Sequence, residues 1–163
     1  MKNTISILVE NHPGVLSRIS GLFARRGFNI DSLAVGITDD PAVSRITIVV
    51  NGNEATVEQV EKQLNKLIDV IKLRRLSEHN TISRELMLIK VHCTEKTRSD
   101  IMDIVRVMEA KVSDISKITL TIEISDTSER LEIIRELLQP YGIVEIVRTG
   151  TIALEKGAEI IRA

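Results

Sequence analysis

The sequence predicts an α+β protein built from two successive β-α-β-β-α-β units, and three observations lead there. Apolar residues alternate along Ile46, Ile48 and Val50, and again along Ile118, Leu120, Ile122 and Ile124. That period of two marks strands with one buried face. Between such runs lie stretches whose apolar residues recur three and four apart, as in helices that bury one stripe. The same order of segments occurs on both sides of Ser77-Glu78-His79-Asn80-Thr81, a polar stretch without a period.

In chain order, a first strand is expected over Thr4–Glu10 and a first helix over Gly14–Arg26, with Val15, Ile19, Leu22 and Phe23 on one face. Arg25-Arg26-Gly27 closes that helix, because cations and glycine suit a helix C-terminus. A second strand is expected over Ile30–Ile37, then a turn at Thr38-Asp39-Asp40-Pro41, and a third strand over Ser44–Asn51 with Arg45 and Thr47 opposite its apolar face. The second helix is expected over Glu54–Leu67, with Val57, Val60, Leu64, Leu67 and Ile68 on its stripe, and the fourth strand over Val70–Leu76. Beyond the linker come a strand over Arg84–His92 and a helix over Ser99–Ala110. A short strand near Lys111–Asp114 follows, then the strand through Ile118–Ile124. A helix over Ser128–Gln139 is stopped by Pro140 and Gly142, and a last strand covers Ile143–Thr149. Gly150–Ala163 has no clear pattern. The domains are therefore drawn as 1–77 and 78–163, each a ferredoxin-like unit with an antiparallel sheet and its helices on one face. Such a unit leaves one sheet face short of cover and its edge strands unpaired, so a homodimer is expected on physical grounds.

Composition narrows the function. The chain has 163 residues, room for one ordinary domain or two small ones. Apolar residues make up 43% and aromatics only 2%, so the cores must be aliphatic. A net charge of −1 supplies no field to attract nucleic acid or a membrane surface. Ferredoxin-like domains that bind RNA stack bases on sheet aromatics, and no expected strand here contains one. The single cysteine excludes an internal disulfide. No apolar run reaches the ~18 residues of a membrane span, and Met1-Lys2-Asn3-Thr4 passes into a strand without a signal-peptide pattern, so a cytoplasmic location is expected.

No catalytic signature is present: no nucleophile elbow, no His-Glu-Xaa-Xaa-His, no phosphate loop, no dinucleotide glycine fingerprint. His12, His79 and His92 lie in different settings. His92 and Cys93 are adjacent on a strand and point to opposite faces, so no metal site is expected. What remains is the run Glu10-Asn11-His12-Pro13-Gly14-Val15-Leu16-Ser17-Arg18. It joins a strand to a helix through Asn, Pro and Gly. A helix start offers free N–H groups and a positive dipole end to an anion. The same residues also make an ordinary capped turn. Asn11 can cap the helix or hold a ligand, and Asn29 can be a turn residue or a ligand contact.

That run, with Gly21-Leu22-Phe23, Arg26-Gly27-Phe28-Asn29-Ile30, Thr38-Asp39-Asp40-Pro41 and Ser44-Arg45-Ile46-Thr47, resembles the amino-acid-binding ACT domain. Specifically, it resembles the small regulatory subunits of acetolactate synthase (acetohydroxyacid synthase). The likeness continues through Arg84-Glu85-Leu86-Met87-Leu88-Ile89-Lys90 and Ile146-Val147-Arg148-Thr149-Gly150. The resemblance implies a non-catalytic chain that activates a large subunit and confers feedback inhibition by a branched-chain amino acid, valine first. Thiamine diphosphate, magnesium and FAD would then be held by the large subunit. It also implies an effector enclosed by Asn11, His12, Pro13, Gly14, Val15 and Leu16 of one chain and Asn29 and Ile30 of a facing chain. Val15, Leu16 and Ile30 would give such an effector apolar walls. The alternative is an ACT-domain sensor of another enzyme or of transcription, for which no helix-turn-helix or basic arm is found.

Overall fold

A computed structural model describes residues 1–163. The first six elements are β1 (Lys2–Glu10), α1 (Val15–Arg26), β2 (Ile30–Ile37), β3 (Val43–Asn51), α2 (Glu54–Leu64) and β4 (Val70–Leu76). They form an antiparallel sheet in the order β2-β3-β1-β4. Next come β5 (Thr81–His92), α3 (Arg98–Val107), β6 (Lys111–Ile115), β7 (Thr119–Asp126), α4 (Ser128–Leu138) and β8 (Ile143–Arg148), and β9 (Ile152–Glu155) closes the list. The second sheet repeats the first topology, β6-β7-β5-β8. The two-fold β-α-β-β-α-β architecture read from the sequence is therefore present. The chain divides into two compact units, residues 1–82 with 151–163, and residues 83–150.

In the first unit, Ile5, Ile7 and Val9 of β1 and Ile46, Ile48 and Val50 of β3 face α1 and α2. The helices answer with Val15, Ile19, Leu22, Phe23, Val57, Val60 and Leu64. Each large side chain buried in this way contributes about 1.5–3 kcal/mol. The second unit builds an equivalent core from Met87, Ile89, Val91, Leu120, Ile122 and Ile124 under Ile101, Val105, Leu131, Ile134 and Leu138.

Several expectations need correction. Helix α2 stops at Leu64 and passes into turns, where Lys66 N–H donates to Gln63 and Leu67 N–H to Leu64. Ile68 therefore leaves the stripe and is 89% exposed. Ile118 lies in the turn before β7 and is also exposed. The far face of the first sheet is not wet: Ser6, Leu8, Thr47 and Val49 are buried. Residues 151–163 supply part of that cover and group with the first unit, so 78–163 is not one compact body. Thr151 N–H donates to Ser32 Oγ at 2.7 Å. Arg74 pairs with Glu155 at 2.6 Å and Glu159 at 3.5 Å. The sequence hides this because two ion pairs and a few scattered isoleucines have no period.

Candidate functional site

The loop after β1 is held by backbone and charge. Glu10 N–H donates to the Asp69 carbonyl at 3.0 Å, and Asn11 N–H to the Ala42 carbonyl at 2.8 Å. Asn11 does not cap α1. Its Nδ2 donates to the Pro41 carbonyl at 2.8 Å and ties the loop to the β2–β3 turn. Pro13 stands outside the first helical turn, and Gly14 is the capping residue. Gly14 has φ +91°, a left-handed conformation that costs most side chains energy. No side chain caps the helix, so its first N–H groups stay open. A Cβ at Gly14 would meet no atom within 4 Å, so the space beside the helix start is free.

Beneath the loop lies an ion-pair cluster. Asp69, just before β4, has a side chain only 5% exposed. Arg18 of α1 donates to its Oδ2 at 2.5 Å, and His12 Nε2 lies 3.0 Å from its Oδ1 and 3.1 Å from Glu10 Oε2. His12 Nδ1 lies 3.1 Å from the Pro13 carbonyl. Both ring nitrogens face acceptors, which suits the imidazolium. The Pro13 carbonyl, then the charges of Asp69 and Glu10, raise the His12 pKa against the opposing effect of desolvation. Glu10, His12 and Asp69 bring three donor atoms within 4.8 Å of one another, as a cation would need. Arg18 already sets a positive charge on Asp69, which opposes a second cation at that carboxylate.

Of the remaining site residues, Val15 is buried in the core beneath the loop and Leu16 is 44% exposed beside it. Asn29 is exposed, and its Nδ2 donates to Asp31 Oδ1 at 3.1 Å. Ile30 is half-buried against the first core. One chain does not bring these two groups together. Ile30 pairs with Val50, whereas Glu10 pairs with Val43. Seven strand residues separate those registers, roughly 23 Å at about 3.3 Å per residue. Sequence reasoning missed Asp69, Pro41 and Ala42, which anchor the loop from distant segments. A lone acidic residue ahead of a strand was the only signal for Asp69.

Comparison with known proteins agrees with this architecture. Residues 5–72 match the AHAS small subunit-like ACT domain, and residues 84–157 match the small subunit of acetolactate synthase. The acetolactate synthase small subunit of Mycolicibacterium smegmatis is 50% identical over 99% of this chain and 95% of its own. The probable acetolactate synthase small subunit of Archaeoglobus fulgidus is 46% identical over 96% and 98%. The crystal structure of the Thermotoga maritima acetolactate synthase small subunit superposes with a TM-score of 0.90 at 37% identity, covering 98% of this chain and 99% of that one. Two family matches in tandem, near-complete coverage and a shared fold lead to one conclusion: the chain belongs to the acetolactate synthase small subunits, non-catalytic regulatory partners of a catalytic large subunit.

Proposed function

We propose that this chain activates the large subunit of acetolactate synthase and makes it inhibitable by a branched-chain amino acid, valine foremost, bound between the first units of two copies. Thiamine diphosphate, magnesium and FAD belong to the large subunit, and the complex works in the cytoplasm. The observation that carries the effector site is the strand register. Asn29-Ile30 and the loop 11–16 lie at opposite ends of one sheet. Strand β2 is an edge strand, with Val35 49% and Ile37 66% exposed. If β2 pairs antiparallel with its copy, Ile30 of one chain comes beside Ile37 of the other, at the loop end. The effector's carboxylate then meets the open N-terminus of α1, and its side chain meets Leu16 and the facing Ile30.

The effector couples to catalysis through the arrangement of the two chains, and such couplings are typically ~1–3 kcal/mol. Gly14→Asp and Gly14→Asn test the site together. Both place a side chain on the strained backbone, and only the first adds a negative charge. Valine affinity measured by calorimetry is expected to fall at least about tenfold further in Gly14→Asp than in Gly14→Asn, since a charged partner is worth about 1.5–3 kcal/mol. Both variants should sediment as dimers and still activate the large subunit. Wild-type affinity in Gly14→Asp would remove the site from this loop.

A further inference from the structure

A second cavity lies on the far face of the first sheet, beside the β2–β3 turn. Its volume is about 580 Å³, within the range of small-molecule sites. Leu8, Val43 and Ile161 give it apolar walls, and Asp39, Asp40, Arg45 and Arg162 give it charge. Arg45 is the unusual member. Its Nε–H is buried and has no hydrogen-bond partner. Burial lowers the Arg45 pKa, and Glu155 offsets this only through space. A buried donor left unpaired costs stability, more so when it belongs to a charged group. The rest of the guanidinium lines the cavity and makes no ion pair or hydrogen bond with the protein, so an anion brought to it gains a charged partner.

The carboxylates argue against a ligand that is only anionic. Asp39 is exposed and makes no hydrogen bond of its own with the protein, and Asp40 Oδ1 accepts Ala42 N–H at 2.9 Å, leaving its second oxygen available. Cation, carboxylates and aliphatic walls in one cavity match the three parts of one molecule. We propose that this cavity is a second amino-acid site, taking an aliphatic α-amino acid with its carboxylate on Arg45, its ammonium at Asp39 and Asp40, and its side chain on Leu8, Val43 and Ile161. The volume admits leucine and isoleucine as well as valine. Residues 161–163 form one wall, so occupancy would also hold this segment against the sheet. None of its lining residues belongs to the loop that begins at Asn11, although that loop bonds the Pro41 and Ala42 carbonyls of the same turn.

The test is calorimetry of the full chain with L-valine, L-leucine and L-isoleucine. Gly14→Asp isolates this cavity by removing the loop site. Binding that remains in Gly14→Asp should weaken at least about tenfold when Arg45→Met is added, because a charged hydrogen-bond partner is lost. Ile161→Trp, made at a half-buried wall position, should block the same binding by filling the space and keeps the test decisive if Arg45→Met fails to fold. Asp39→Asn with Asp40→Asn should weaken the amino acid but not its 2-oxo acid counterpart, which lacks the ammonium. No binding of any of the three amino acids in Gly14→Asp at millimolar concentration would overturn the second site and leave the loop site standing. Residual binding indifferent to both Arg45→Met and Ile161→Trp would also overturn it. Full binding in Gly14→Asp that Arg45→Met abolishes would support this cavity and refute the loop.

Discussion

Glu109 is the only non-glycine residue with positive φ, at 56°. It follows α3, where Ala110 N–H donates to Val105 and Glu109 N–H to Arg106, a helix ending that usually uses glycine. A side chain there costs about 1–2 kcal/mol, and glycine returns part of that as unfolded-state entropy. Glu109→Gly should therefore stabilise the protein by about 0.5–1 kcal/mol, read as a rise in denaturant midpoint without a change of slope. A fall in midpoint would mean the glutamate has an unrecognised partner. His12 gives a pH-dependent expectation. Its pKa is raised, so the bonds to Pro13, Asp69 and Glu10 are complete below the ordinary histidine value and are lost as pH rises through the raised one. An NMR titration of the ring protons should show a midpoint above that of a free histidine, moving down in Asp69→Asn. An unchanged midpoint in that variant would rule out the Asp69 contribution. In the sequence His12 stood out as a loop residue and an expected effector contact but not as an ion-pair member, because its partner Asp69 is 57 positions away and no local pattern connects them.

At the level of elements, β5 and β8 are joined by more than their ladder. Arg148 grips the buried Glu85 through Nε–Oε1 at 3.0 Å and Nη2–Oε2 at 2.8 Å, and reaches Glu132 of α4 at 2.5 Å. This fork links two strands to a helix. Arg148→Met leaves Glu85 buried and unpaired, which should cost about 3 kcal/mol, the lower end for a broken buried pair because Arg148 is partly exposed. Adding Glu85→Gln should recover part of the loss, since the remaining group is then neutral. No recovery in a chemical-denaturation series would show that packing of the arginine stem dominates. Hydrogen bonds from Arg135 and then Arg148 depress the Glu132 pKa. Its contribution is present above the ordinary carboxylate range and fades as pH falls through the depressed value. The elements themselves were legible, since Ile46, Ile48 and Val50 or Val57, Val60 and Leu64 need only a local period to declare strand or helix. The helix caps were less so. Asn53 accepts Thr56 N–H at 2.9 Å and Thr127 accepts Arg130 N–H at 3.4 Å, yet each reads in sequence as one more polar loop residue.

For the whole molecule, the pairing of the first unit with residues 151–163 matters most. Leu8 and Leu76 are buried on the far face of the first sheet, where Leu154, Ile160 and Ile161 share cavities with them. A fragment of residues 1–82 should melt well below the same fragment joined to residues 151–163 by a glycine-serine linker. Uncovering two such side chains costs up to about 3–6 kcal/mol, a large share of a small domain's stability. Equal melting temperatures would mean that the segment adds nothing and that a boundary near residue 77 suffices. This arrangement was illegible because a chain segment crossing a sheet face needs no periodicity. It needs only Glu155 and Glu159 within reach of Arg74.

The discontinuity of the first unit also orders the events of synthesis. Residues 83–150 leave the ribosome between the two parts of that unit, so the second unit can close around its own core while the first still waits for its last segment. Closing the intervening loop of roughly 70 residues carries an entropy cost that grows only with the logarithm of its length, and prior folding of the second unit shortens the effective span. During that interval Leu8 and Leu76 lack the cover of Leu154, Ile160 and Ile161 on the nascent chain, and a chaperone or a second nascent copy has its opportunity to engage them.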